Sequence, residues 1–169
     1  MRPFLFVLAL LLATKGFSQN EKFTDKLYFG GNLGASFGGI TFVEISPLAG
    51  YRITPRFSAG LGATYIYYSY NVSSPHFSME IYGGRVFSRF LITESLFAHV
   101  EYELLSVPDF VNSDLKTRVL VPGLYVGGGY RQPIGPRAFA SIMILYNLNQ
   151  TIYSINSNPI ISIGFTIGR

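Results

Sequence analysis

His76, Ser78 and Glu80 occupy alternate positions in the stretch PHFSME, so an extended chain carries all three on one face. A base, a hydroxyl nucleophile and a carboxylate are the groups that ester hydrolysis requires. Side chains at i and i+2 of one strand stand roughly 7 Å apart, which is too far for a direct relay without a bend. The plainer reading is a histidine at the edge of a loop. A second grouping is His99, Glu101 and Glu103, again at alternate positions. One imidazole with two carboxylates is an unspecific metal signature. The preferred reading is an interior polar network, completed by Arg85 and Glu44. The chain has no cysteine, which excludes disulfides, thiolate metal sites and a cysteine nucleophile.

The elements that hold these residues have period two. Strands are predicted near 26–37, 41–52, 56–70, 77–91, 95–107, 117–131, 137–148 and 159–168. Between them lie turn signals at Gly38-Gly39, Thr54-Pro55, Asn71 to Pro75, Thr93-Glu94, Pro108 to Asp114, Pro133 to Pro136 and Asn149 to Asn158. In FSAGLGATYIYY, one face is Phe57, Ala59, Leu61, Ala63, Tyr65 and Tyr67. The other is Ser58, Gly60, Gly62, Thr64, Ile66 and Tyr68. Strands 1, 7 and 8 divide in the same way into a large apolar face and a small or polar one. A soluble barrel would invert this, with charges outside and an apolar ligand cavity within. Lipid is therefore the expected surrounding of the apolar face. Only a closed barrel lets strands cross a bilayer without an unpaired edge. Most of the predicted strands reach the roughly 9–11 residues a tilted crossing needs.

Composition supports that class. Charged residues make up 13% of the 169, about half the usual level of roughly 25%. Residues 1–18, MRPFLFVLALLLATKGFS, have a basic start, a short apolar run and small residues before the end, the pattern of a secretory signal peptide. Without Arg2 and Lys15 the formal charge falls from +4 to about +2, and nucleic-acid binding by charge is excluded. No later apolar stretch is long enough for a transmembrane helix.

The stretches ISPLAGYRITPRFSAGLGATY (45–65), YGGRVFSRFLI (82–92), GLYVGGGYR (123–131) and the final ISIGFTIGR resemble the small eight-stranded outer-membrane β-barrels of Gram-negative bacteria, the OmpA/OmpX-like proteins. The resemblance covers essentially all of 19–169. It implies an all-β fold, an eight-stranded antiparallel up-and-down transmembrane β-barrel. It also implies an outer-membrane location, reached by way of the barrel-assembly machinery, with outer-membrane lipids and lipopolysaccharide as surroundings. The final Arg169 departs from the group, whose members usually end on an aromatic residue. Some eight-stranded barrels are lipid A-modifying enzymes, and the deacylases among them use His, Ser and Glu. This makes His76, Ser78 and Glu80 the alternative, enzymatic reading; a small-solute pore is another. The main expectation is a non-catalytic monomer without cofactor or metal, in a structural or surface-interaction role.

Several expectations concern placement. Arg52, Arg56, Arg89, Arg131 and Arg137 flank the tight turns and should form a basic periplasmic rim. Tyr51 and Tyr130 should face lipid at that end, and Tyr65, Tyr67 and Tyr146 at the other. A three-residue first loop should pair Leu33 with Ile45 and send Glu44 inward. A turn centred on Thr93 should put Arg85 opposite Glu101, Phe87 opposite His99 and Arg89 opposite Phe97, with Glu103 diagonal to Arg85. An Arg85–Glu101 ion pair would lie inside, because a basic residue facing lipid at mid-depth costs roughly 2–4 kcal/mol.

Overall fold

Alternating sequence with frequent β-branched and aromatic residues favours extended chain, and each turn signal returns the chain beside itself. The computed structural model describes residues 23–36, 40–70, 77–109, 114–155 and 158–168. Residues 1–18, the Gly38-Gly39 loop tip, His76 and Arg169 lie outside them. A 3₁₀ turn at Phe23–Asp25 leads into eight strands: β1 (Leu27–Ser36), β2 (Ile40–Arg52), β3 (Phe57–Tyr70), β4 (Phe77–Leu91), β5 (Leu96–Asp109), β6 (Asp114–Gly135), β7 (Ala138–Asn147) and β8 (Ile160–Gly168). Each pairs antiparallel with its sequence neighbours, and β8 pairs with β1 to close an up-and-down barrel.

The turns after β2, β4 and β6 share one end of the barrel with the start of β1. In the first two, a threonine organises the reversal. Thr54 Oγ1 accepts from the backbone N–H of Phe57 at 2.9 Å, and Thr93 Oγ1 from that of Leu96 at 2.9 Å. The other end carries the connections after β1, β3, β5 and β7. Strands β5 and β6 run further than expected. Residues 108–109 pair with Arg118 and Asp114 across a register shift, and β6 continues through a second irregularity at Pro133–Gly135. Pro108, Asp109 and Asp114, and Pro133 to Gly135, are therefore strand. A bulge absorbs the residue that cannot join the ladder.

The first hairpin pairs Leu33 with Ile45 and Gly34 with Glu44, the expected parity. The β4–β5 hairpin differs from the expected register by two residues. Arg85 lies opposite Glu103, Phe87 opposite Glu101 and Arg89 opposite His99. The reversal spans Ile92 to Leu96, with both Ile92 and Thr93 N–H groups on the Leu96 carbonyl, so it centres on Glu94 rather than Thr93. A slip of two keeps every side chain on its face.

The outward face of the described strands is a belt of exposed apolar residues, including Leu33, Ile45, Leu61, Val86, Ile142, Ile163 and Phe165. Tyrosines mark its borders. Tyr130 at the short-turn end, and Tyr65, Tyr82 and Tyr146 towards the other, are exposed. Tyr51 shares the outward face of Ala49 and stacks on Phe23, with ring centroids 5.0 Å apart.

The lumen is filled in tiers. Near the short turns lie Tyr28, Leu48, Phe87, Phe97 and Met143. At the loop end lie Ile66, Ile81, Leu105, Val107 and Val121. Charged and hydroxyl groups occupy the middle. Glycines in the wall make the space. A Cβ on Gly60 would meet the Phe87 ring, one on Gly129 the Phe97 ring and one on Gly123 the Tyr125 ring. At Gly50 the three nearest atoms all belong to the Tyr28 ring and hydroxyl. Gly50→Ala should therefore cost about 1–3 kcal/mol by overpacking. The cost should shrink when Tyr28 is already alanine. A urea-unfolding double-mutant cycle checks it, and strict additivity would show that the two do not collide.

Candidate functional site

The polar middle tier is built by facing strands. Inward parity on β4 delivers Arg85, and on β5 His99, Glu101 and Glu103, all buried. Arg85 Nη1 lies 3.4 Å from Glu101 Oε1, and Nη2 donates to the Ser46 carbonyl on β2 at 3.1 Å. The pair is diagonal rather than directly opposite; the long guanidinium side chain spans the two-residue offset. His99 Nε2 lies 3.2 Å from Glu101 Oε2, and its ring stacks on Phe87 with centroids 5.6 Å apart. Glu103, directly across from Arg85, instead accepts from Thr64 Oγ1 at 2.5 Å. The Tyr125 ring lies over Gly123, which is directly across β5–β6 from Glu103. Glu44 accepts from Ser46 Oγ at 2.8 Å. The five residues expected to form the interior network thus fall in one tier, and two hydroxyl residues hold it. Thr64 and Ser46 were not assigned that role from sequence. Their signal was inward parity beside the carboxylates, readable only with the cross-strand register known.

Each carboxylate has its own donors. Thr64→Val should cost about 1.5–3 kcal/mol, the range for a hydrogen bond to a charged group. Thr64→Ser should keep most of that stability, and urea midpoints of the two variants separate the lost bond from the lost methyl.

Arg52, Arg56, Arg131 and Arg137 lie at the short-turn end as expected. Arg131 Nε donates to the Glu94 carbonyl at 2.8 Å and stacks over Phe139 at 4.7 Å. Arg89 does not join them. It is only 9% exposed, sunk into the lumen over the Phe97 ring at 4.4 Å, with Nη2 3.6 Å from Met143 Sδ. Inward parity decides its position, and the aromatic faces compensate a cation held away from water.

Ser78 and Glu80 are exposed, and Glu80 pairs with Tyr67 across β3–β4 on the outward face. Arg118, unassigned from sequence, also points outward. It donates to the carbonyls of Glu80 at 2.9 Å and Ser106 at 2.6 Å, and lies over Tyr82 at 4.3 Å. These two charges stand at the loop-side border of the apolar belt. Among the described residues no group of three or more His, Asp or Glu side chains is arranged to hold a metal ion.

Above the polar tier is a cavity of about 410 Å³. Glu44, Arg85, Glu101 and Glu103 form its floor, and Ile66, Leu105, Val121 and Leu145 its apolar walls. Tyr153, Ser154 and Ile155 from the β7–β8 connection lie over it. Tyr153 and Ile155 pack on the apolar cluster, and the Tyr153 hydroxyl donates to Asp109 Oδ1 at 3.0 Å. No protein-family model matches the chain, and no curated protein matches it either.

Proposed function

We propose that the chain is an integral outer-membrane β-barrel of the OmpA/OmpX-like kind, with a structural or surface-interaction role and no catalysis. The observation that carries the reading is the outward belt. Between the Glu80–Arg118 border and the tyrosines at the short-turn end, no described outward residue is charged, and large apolar side chains stand exposed on all eight strands. Such a surface is unfavourable in water on the scale of a whole barrel and matches the band a bilayer covers. The ionic groups gathered in the lumen are the complementary half of the same pattern.

On this reading residues 1–18 are a cleaved signal peptide, and the protein reaches the outer membrane through the barrel-assembly machinery. The short-turn end is periplasmic, with Arg52, Arg56, Arg131 and Arg137 near the inner-leaflet headgroups, where basic residues gain electrostatic contact. Lipopolysaccharide surrounds the loop end. The protein acts as a monomer without a cofactor, and loop contacts supply the interaction role.

The test is membrane fractionation with gel migration before and after boiling. The protein should stay with outer membranes and migrate differently once boiled. Recovery as a soluble protein without detergent would reject the reading. Hydrolysis of lipopolysaccharide that disappears in His76→Ala or Ser78→Ala would replace it with the deacylase-like enzyme. Steady single-channel conductance in planar bilayers would replace it with the pore.

A further inference from the structure

The barrel is not equally closed around its circumference. β1 and β8 pair from Tyr28↔Gly168 to Asn32↔Gly164 and no further, although β1 continues to Ser36 and β8 begins at Ile160. The other edges of both segments stay paired. β1 holds β2 as far as Ser36↔Phe42, and β8 holds β7 as far as Leu145↔Ile160. Leu33–Ser36 and Ile160–Ile163 therefore flank a slot in the loop-side half of the wall. Asn32, buried, packs its side chain over Gly164 where the slot ends.

The cavity reaches this slot. Its lining includes the inward Gly34 and Ser162 and also Leu33, Ile161 and Ile163, which are exposed on the outward face. The strand edges that Leu33, Ile161 and Ile163 present there are unpaired, so the cavity extends to the open junction. Its composition changes along that path. The inner floor carries three carboxylates against one guanidinium, the walls are aliphatic, and the mouth lies between outward Leu33, Ile161 and Ile163. The size falls within the roughly 300–1,000 Å³ of small-molecule sites.

We propose that this slot admits one single-chain amphiphile from the bilayer. Its hydrogen-bond-donating head reaches the carboxylate floor, and its hydrocarbon tail leaves through the slot between Leu33, Ile161 and Ile163. A purely polar solute does not match the mouth, and a purely apolar one does not match the floor. The proposal rests on the membrane reading above.

The absence of cysteine makes the test clean. The barrel, refolded in phosphatidylcholine vesicles, is irradiated with a diazirine-bearing alkylamine and the labelled peptides are mapped by mass spectrometry. Lumen-facing Ile66, Leu105 and Val121 should be labelled, more strongly by the amine than by the matching alkyl carboxylate. In Leu33→Cys with Ile163→Cys, oxidation should abolish lumen labelling and reduction should restore it. Gly34→Leu fills the lumen-side end of the slot without a disulfide and should lower lumen labelling several-fold. Heat-modified migration verifies that each variant is folded. Labelling confined to outward residues such as Ile45 and Leu61, or lumen labelling unchanged in both blocked variants, would overturn the slot. Equal labelling by amine and carboxylate would overturn the role of the floor. A protein that neither floats with vesicles nor shows heat-modified migration would instead refute the membrane reading.

Discussion

Arg85→Met is expected to lower the unfolding free energy of the barrel by about 3–5 kcal/mol, the cost of leaving a buried charge without its partner. Glu101 bears that cost. Among the described residues its oxygens meet only Arg85 at 3.4 Å and His99 at 3.2 Å, whereas Glu103 and Glu44 have hydroxyl donors of their own. The Ser46 carbonyl also loses the donor at 3.1 Å. Replacing both members of an ion pair by apolar groups of similar size is often close to neutral. Arg85→Met with Glu101→Leu should therefore be more stable than Arg85→Met alone. Urea unfolding followed by gel migration measures all three proteins. An unchanged midpoint for the single variant, or a double variant that is the weaker of the two, would show that the pair does not behave as a buried one.

Phe97→Ala should cost a similar amount, about 3–5 kcal/mol. The ring is 2% exposed and packs with Met143 and Leu145. The gap left by truncation cannot close easily, because the wall beside it is Gly129, with no side chain to move in. Arg89, stacked on that ring at 4.4 Å, loses its platform at the same time. Phe90 is the control: it stands on the outward face and is 46% exposed, so Phe90→Ala should change the unfolding midpoint far less. Equal losses at both positions would mean that the inside and outside of β4 and β5 are wrongly assigned.

Much of the barrel was legible in the chain because a strand has only two faces. Once Leu61 and Tyr65 were outward, Gly62 and Thr64 had to be inward. The same parity put Arg85, Glu101 and Glu103 together before any register was known. Register itself was less legible. The reversal at Thr93 closes through side-chain bonds to the N–H groups of Ser95 and Leu96. That shifts its centre by one residue and every β4–β5 pair by two. The ion pair was reached by way of the wrong neighbours, because a guanidinium spans the diagonal as readily as the direct pair. Arg89 was assigned to the rim by its sequence distance from the turn, although the odd parity it shares with Arg85 already pointed it inward. The hydroxyl donors Thr64 and Ser46 come from strands distant in sequence, and no local pattern announces a partner across the lumen. The slot between β1 and β8 is the least readable feature, since it joins the two most separated strands.

That separation also bears on the order in which the wall is made. Seven of the eight junctions link consecutive strands, so each can zip from its own reversal with little loss of chain entropy. The eighth must bring Tyr28 to Gly168, residues from opposite ends of the barrel sequence, and among the described residues it gains only five residue pairs. Contacts of such long range reward the chain only after the loop has closed. The curved sheet would therefore assemble first and be sealed last, at the junction with the fewest bonds. The same junction is the natural place for the finished wall to breathe. The free edges of Leu33–Ser36 and Ile160–Ile163 would exchange their amide protons long before the centre of β5, which is paired on both sides throughout.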